Sequence, residues 1–135
     1  MALTKDRDTP RRDGVDFSAP LAAATVMHAG SLFCINAAGY GTPGAVSTTL
    51  KCVGVTQARA DNSAGAAGAV SGTYRKGVFR FKNSAAGDLI ALADVNADCY
   101  IVDDETVAKT NGGNTRSVAG KIVDVDADGV WVRVG

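Results

Sequence analysis

The chain has 135 residues, a length that fits one domain and buries about two-thirds of its unfolded surface on folding. Its 14 Lys and Arg balance its 14 Asp and Glu, so it lacks the basic excess that phosphate-driven nucleic-acid binding needs. Aromatic residues make up only 6%, so Ala and Val must supply much of the core, and oligomerisation would help bury the remaining apolar surface.

Residues 1–16 form a polar segment in which Pro10 and Gly14 break any helix. Its charges alternate in sign: Lys5, Asp6, Arg7, Asp8, Arg11, Arg12, Asp13 and Asp16. Such a segment buries too little to fold alone, so it is either a frayed terminus or an arm that becomes ordered against a partner. We predict an extended arm over 1–16 and a β domain over 17–135.

Residues 20–38 are apolar enough to imitate a signal sequence. Polar residues and a proline interrupt them, namely Pro20, Thr25, His28, Ser31 and Asn36. No apolar run approaches the roughly 20 residues of a membrane-spanning helix. We therefore expect a soluble chain that is made in the cytoplasm and has no membrane partner.

The body is a succession of short apolar runs separated by Gly, Asn, Asp and Pro. Residues 31–36, 52–57 and 74–82 each predict a strand. Residues 61–72 are rich in Gly and Ala, and this composition predicts a flexible loop.

Alternation along the predicted strand 74–82 gives its two faces different chemistry. Phe79 and Phe81 fall on one face, and Val78, Arg80 and Lys82 fall on the other. One face can therefore close a core, while the other offers charge to water or to a partner.

Two hairpins complete the predicted strands. The first joins 99–102 to 106–109 through the acidic tip 103–105. The second joins 121–125 to 130–134 through an Asp-Gly turn, a strong hairpin signal between alternating apolar runs.

Helical periodicity is confined to residues 88–96, where Asp88 could cap one short helix. Many short strands with regular turn signals are typical of a β-sandwich or barrel. We predict an all-β, single-domain sandwich or barrel with at most one short helix.

The second hairpin also has two distinct faces. Val130, Val132 and Val134 point one way, while Trp131 and Arg133 point the other. If the valines are core, Trp131 lies against a second core layer or in a subunit contact, where Trp and Arg are favoured anchors.

Residues 124–129 match the opening of a calcium-binding loop, D-x-D-x-D-G. The twelfth position of such a loop should be a bidentate Glu, and here it is Gly135. Because the match lies inside a hairpin pattern, we interpret it as a turn and predict no metal site.

The nucleophile candidates also favour packing over chemistry. Cys34, Cys52 and Cys99 are widely spaced, and the single His28 cannot complete a zinc site or a Cys-His pair with an orienting group. Phosphate-loop and G-x-S-x-G patterns do not occur. We expect reduced, packed cysteines, no cofactor and no enzymatic activity.

Several blocks along the whole chain carry a resemblance to a known family. They are MALTKDRDTP (1–10), NAAGY (36–40), PG (43–44), DNSAG (61–65), RKGVFR (75–80), CYIVDD (99–104), TV (106–107) and DVDADGVWVR (124–133). In order and spacing they resemble the capsid cement, or head-decoration, proteins of Mu-like tailed phages. Val53-Gly54 with Tyr74-x-x-Gly77-x-Phe79-Arg80-Phe81 is more weakly similar to the lambda-type head-decoration protein. The terminal hairpin and the arm depart from that second pattern.

The resemblance implies a virion protein on the outer surface of the expanded icosahedral capsid. Its partners would be the major capsid protein and itself, as a homotrimer, and it would stabilise the shell against the pressure of packaged DNA. Alternatives are a tail-tube or baseplate β module, or an enzyme fragment with a Cys-His site. The expected capsid-binding arm residues are Lys5, Arg7, Pro10, Arg11 and Arg12, and the expected subunit or capsid interface residues are Arg80, Trp131 and Arg133.

Overall fold

The computed structural model describes residues 2–135, so Met1 of the predicted arm lies outside the described residues. Within that range twelve strands form two five-stranded antiparallel sheets and one two-stranded sheet, which confirms the predicted all-β class. The strands are β1 (Asp16–Pro20), β2 (Thr25–Met27), β3 (Leu32–Ile35), β4 (Gly41–Pro43), β5 (Lys51–Thr56), β6 (Ala60–Asn62), β7 (Ser71–Arg75), β8 (Gly77–Phe81), β9 (Asp98–Ile101), β10 (Val107–Ala108), β11 (Val118–Asp126) and β12 (Gly129–Val134).

An isolated bridge links the two ends of each large sheet. Sheet 1 has the order β1-β7-β5-β3-β4, and sheet 2 has the order β10-β9-β11-β12-β8. A bridge between Lys82 and Thr106 links the two ends of sheet 2, with the Lys82 amide donating to the Glu105 carbonyl at 2.8 Å. A parallel bridge between Leu21, which follows β1, and Gly41, the first residue of β4, likewise links the two ends of sheet 1. Both large sheets therefore curl back on themselves.

Alternation along the strands builds a core between the two sheets. The valines of β12, which the sequence placed together on one face, are fully buried, and they pack with residues of β3, β9 and β11. A smaller cluster of Leu21, Met27 and Phe33 lies under the two-stranded sheet formed by β2 and β6. The hairpins predicted around 103–105 and 126–129 are both present.

The prediction of one continuous strand over 74–82 was wrong. The chain ends β7 at Arg75 and starts β8 at Gly77, and the two strands belong to different sheets. Gly77 has φ +156°, a backbone conformation that side-chain-bearing residues rarely adopt. The period-2 pattern does not reveal where β7 ends and β8 begins, because side chains alternate in both strands.

The prediction of a flexible loop over 61–72 was also wrong in part. Its start forms β6, and the Asn62 side chain is only 2% exposed. Asn62 Nδ2 donates to the carbonyls of Ala22 at 2.9 Å and Ala66 at 3.0 Å. A single buried amide therefore anchors a segment whose composition suggested no anchor.

The predicted short helix over 88–96 is replaced by two 3₁₀ turns, Ala86–Asp88 and Leu92–Asp94. Asp88 is the last residue of the first turn and does not cap it. Only Ile90 of this segment is fully buried, and the Asn83 side chain holds it by bonding both its amide, at 2.9 Å, and its carbonyl, at 2.8 Å. Among residues 2–135, no helical segment has the length and apolar character needed to traverse a bilayer.

Close approach of β11 and β12 requires a glycine at position 120. A Cβ at Gly120 would collide with the Arg133 carbonyl oxygen and lie 2.9 Å from Val132 Cγ1. We predict that Gly120→Ala lowers the free energy of unfolding by about 1–3 kcal/mol, because backbone atoms must shift to make room. Urea denaturation measures the change.

Gly87→Ala is the matched control, since a Cβ at Gly87 meets nothing within 4 Å. We expect it to change the free energy of unfolding by less than about 0.5 kcal/mol. Equal effects of the two substitutions would contradict the packing described here.

Candidate functional site

The first candidate surface is the arm, defined here as residues 2–15. It contains no strand and is exposed along its length. Its ion pair is internal, with Arg11 Nη2 at 2.9 Å from Asp13 Oδ1, and Arg7 Nη1 donates to Thr9 Oγ1 at 3.1 Å. The cationic residues Lys5, Arg7, Arg11 and Arg12 and the stiff Pro10 are therefore accessible to a partner.

The base of the arm is fixed to the body by an aromatic chain. The Arg12 guanidinium lies 5.7 Å from the Phe17 ring centroid, and Lys76 Nζ lies 5.1 Å from it. Phe17 stacks on Tyr74 at 5.9 Å, and Tyr74 packs at 4.8 Å on the fully buried Phe33. The arm therefore leaves the body in a direction that the core determines.

The arm continues into β1, the strand at one end of sheet 1. The β1 strand pairs with β7 from Asp16 to Pro20, and among residues 2–135 no strand pairs with the other edge of these five residues. The next residue, Leu21, is bridged to Gly41 of β4, so the unpaired edge ends there. Arg75 bonds both oxygens of Asp16, at 2.7 and 3.1 Å, which lowers the pKa of that carboxyl. The free edge presents backbone N–H and C=O groups that an added strand can satisfy.

The second candidate surface is the outer face of sheet 2, where Val78, Arg80, Trp131 and Arg133 lie together. Trp131 is opposite Arg80 in the register, and Arg133 is opposite Val78. The Arg80 guanidinium lies 5.8 Å from the Trp131 ring centroid, and Val78 is 40% exposed. The structure thus brings the three predicted interface residues to one face, opposite the buried valines. Their role in an interface stays a prediction.

The predicted arm residues and the predicted interface residues are separate sets. The arm leaves sheet 1 at β1, while Trp131 and Arg80 lie on sheet 2. Within residues 2–135, no hydrogen bond, ion pair or cation–ring contact joins the two sets. A partner could use either surface without the other.

The Asp-rich segment at 124–129 serves the turn and the outer face. Asp126 Oδ1 accepts from the amides of Asp128 at 2.8 Å and Gly129 at 3.1 Å. Its Oδ2 accepts from Trp131 Nε1 at 2.8 Å, so one carboxylate fixes both the turn and the indole. In the described part of the chain, no three His, Cys, Asp or Glu side chains are grouped as metal ligands.

The cysteines lie in the core cluster and not beside the histidine. Cys34 and Cys99 are fully buried, whereas His28 is exposed in the turn after β2. Burial raises the pKa of the Cys99 thiol to about 12, and contact with Cys34 together with burial raises that of Cys52. All three thiols are free.

Sequence reasoning missed an open groove of about 670 Å³ between β5 and β11. Leu50, Cys52 and Val118 contribute apolar surface to it, and Lys51 and Arg133 contribute charge. The residues that line the groove come from segments that no local sequence pattern pairs, so nothing in the sequence indicated it.

Comparisons with protein-family models, curated proteins and solved structures find no match for this chain. The fold defines a small all-β domain, and its candidate surfaces are an arm, a free strand edge and an exposed Trp-Arg face.

The bond between Asp126 and the only Trp of the chain predicts a pH-dependent signal. Hydrogen bonds from Trp131 and the turn amides hold the pKa of Asp126 below its ordinary 3.8, so the bonded carboxylate is present above that pH. We expect Trp131 fluorescence to be constant from neutral pH down to about 3.8 and to change only below it. Circular dichroism over the same range separates this change from unfolding.

The substitution Asp126→Asn should abolish that transition. Asp61→Asn should keep it, because Asp61 also has a lowered pKa but lies on β6, in another sheet. A fluorescence midpoint above 3.8, or a transition that persists in Asp126→Asn, would refute the assignment.

Proposed function

We propose that this chain is a capsid cement protein, a structural virion protein that binds the outer surface of an expanded icosahedral capsid. It acts as a homotrimer and stabilises the shell against the pressure of packaged DNA. The observation that carries the proposal is an exposed arm that runs directly into a free edge strand on a packed β body. The sequence resemblance to head-decoration proteins supports the same role.

The arm supplies the reach that such a protein needs. Extended at about 3.3 Å per residue, residues 2–15 span roughly 45 Å, enough to cross from the body onto a neighbouring capsid subunit. An extended segment binds best by adding a strand to an exposed sheet edge, since its backbone groups then gain partners. The arm therefore orders as it binds.

Charge on the arm gives this pairing its specificity. Arg11 and Asp13 are 82% and 77% exposed, and an ion pair that exposed contributes little stability. Arg11 can therefore exchange Asp13 for a capsid carboxylate at small cost, and Arg7 can do the same with its bond to Thr9. Arg12 stays on the Phe17 ring and directs the arm outward.

The outer face of sheet 2 supplies the contact between copies. Trp and Arg are the residues most often found at the centre of binding surfaces, and Trp131 is already held rigid by Asp126 and Arg80. A closed trimer presents three arms to the shell, and three weak attachments on one body give strong net binding by avidity.

Deletion of residues 2–13 tests the arm. The cut retains the bond from the Lys76 amide to the Val15 carbonyl and the Asp16–Arg75 ion pair, so we expect the circular dichroism and melting temperature of the body to persist. Co-sedimentation with expanded, undecorated heads of its phage should fall at least tenfold. Binding at the intact level would exclude the arm as the attachment.

Charge substitutions in the full-length chain provide the matched comparison. Arg7→Ala with Arg11→Ala should weaken co-sedimentation, and Asp6→Ala with Asp8→Ala should not, because only the cations meet carboxylates. Saturable binding of the intact protein in near-stoichiometric amounts is the expected result for a cement protein. Rings or tubes formed by the protein, with no binding to heads, would instead indicate a tail-tube or baseplate component.

A further inference from the structure

We propose that Cys34 and Cys52 are an oxidisable dithiol that closes into a disulfide across β3 and β5. The inference goes beyond the cement role and does not depend on it. The ligand class is a small thiol oxidant that enters through the groove between β5 and β11.

The strand register places the two cysteines for this bond. Cys34 on β3 and Cys52 on β5 are directly opposite one another in an antiparallel pair. Cα atoms in such pairs are about 4.5 or 5.5 Å apart, and both spacings lie within the range of about 4.4–6.8 Å found in disulfides. Closure therefore needs side-chain rotation and no shift of the strands.

A bulge in β5 keeps both thiols on the same side of sheet 1. The register shifts between Phe33 and Cys34, so β5 carries Val53 as an extra residue between Cys52 and Gly54. Cys34 and Cys52 consequently pack in the core between the sheets, while Phe33 and Val53 pack in the smaller cluster. Without the bulge, one of the two thiols would point away from the other.

The groove makes one of these thiols reachable. Cys52 is half-buried and lines the groove of about 670 Å³, whereas Cys34 is fully buried behind it. Cys99, the third cysteine, is fully buried on β9 and donates its thiol to the Gly120 carbonyl at 3.6 Å. Cys52 is therefore the entry thiol and Cys34 the resolving thiol.

Diamide, a diazene oxidant, can convert the two thiols into the disulfide. The Cys52 thiolate adds to one nitrogen of the N=N bond, and the other nitrogen takes up a proton. The Cys34 thiolate then attacks the Cys52 sulfur, forming the S–S bond and releasing the hydrazine, which takes up the second proton. The two thiols lose two hydrogen atoms in total, and the diazene gains them.

The buried setting makes the reaction slow at neutral pH. Only the thiolate reacts, and contact between the two thiols together with burial raises the pKa of Cys52 above its ordinary value. The thiolate fraction then rises about tenfold per pH unit throughout the range from 7 to 9. An unperturbed thiol would begin to level off near its pKa of about 8.5.

Peptide mapping of the full-length protein tests the proposal, because trypsin places the three cysteines on separate fragments, 13–51, 52–59 and 83–109. The protein is treated with diamide at pH 9 and then alkylated under denaturing conditions. We expect fragment 13–51 to be linked to fragment 52–59, and we expect fragment 83–109 to be alkylated. Dithiothreitol should release the link, and its rate of formation should increase about tenfold per pH unit between pH 7 and 9.

Cys99→Ser should leave the link intact, and Cys34→Ser and Cys52→Ser should each abolish it. If a variant fails to fold, the peptide map of the unsubstituted protein alone tests the proposal. Complete alkylation of all three fragments after prolonged oxidation, or a link that includes 83–109, would overturn the proposal.

Discussion

The structure depends on the interruption between β7 and β8 at Gly77, which divides one aromatic segment between two sheets. On one side of the break, Tyr74 belongs to sheet 1 and joins Phe17 to the buried Phe33. On the other side, Phe81 enters the core of sheet 2, and Arg80 lies beside Trp131 on the outer face. Both candidate interaction surfaces therefore originate within a few residues of one glycine.

In the proposed function, this arrangement keeps capsid attachment apart from self-association. The arm leads into β1 of sheet 1, whereas the Trp-Arg face belongs to sheet 2. Backbone pairing at an edge tolerates many partner sequences, while an indole held by a carboxylate and a guanidinium demands a complementary shape. A cement protein of the proposed kind must bind a repeating shell and also copies of itself, and it would benefit from keeping these two contacts apart.

Local patterns were sufficient to predict the all-β class and the two hairpins. The Asp-Gly turn at 126–129 lies between alternating valines, so the faces of Trp131 and Val132 could be predicted without knowing their neighbours. The proposed arm could be marked for the same reason, because its composition cannot form a core. Period-2 alternation and turn chemistry are properties of adjacent residues, and this is why they succeed.

The incorrect or missing predictions fall where contacts between residues far apart in the sequence determine the structure. Alternation continues through Gly77, so the change of sheet is visible only when the partners β5 and β12 are known. The anchoring of Asn62 depends on a carbonyl 40 residues earlier, and the groove lies between strands that no local signal pairs. The opposition of Cys34 and Cys52 also depends on a bulge that composition does not reveal.

Hydrogen exchange of the arm amides, measured on the free protein and on protein bound to expanded heads, tests the central claim most directly. The account predicts rapid exchange of the amides of residues 2–13 in the free protein and strong protection on the heads, because the arm gains backbone partners only there. Protection confined to the strands around Trp131, with the arm unchanged by binding, would contradict it.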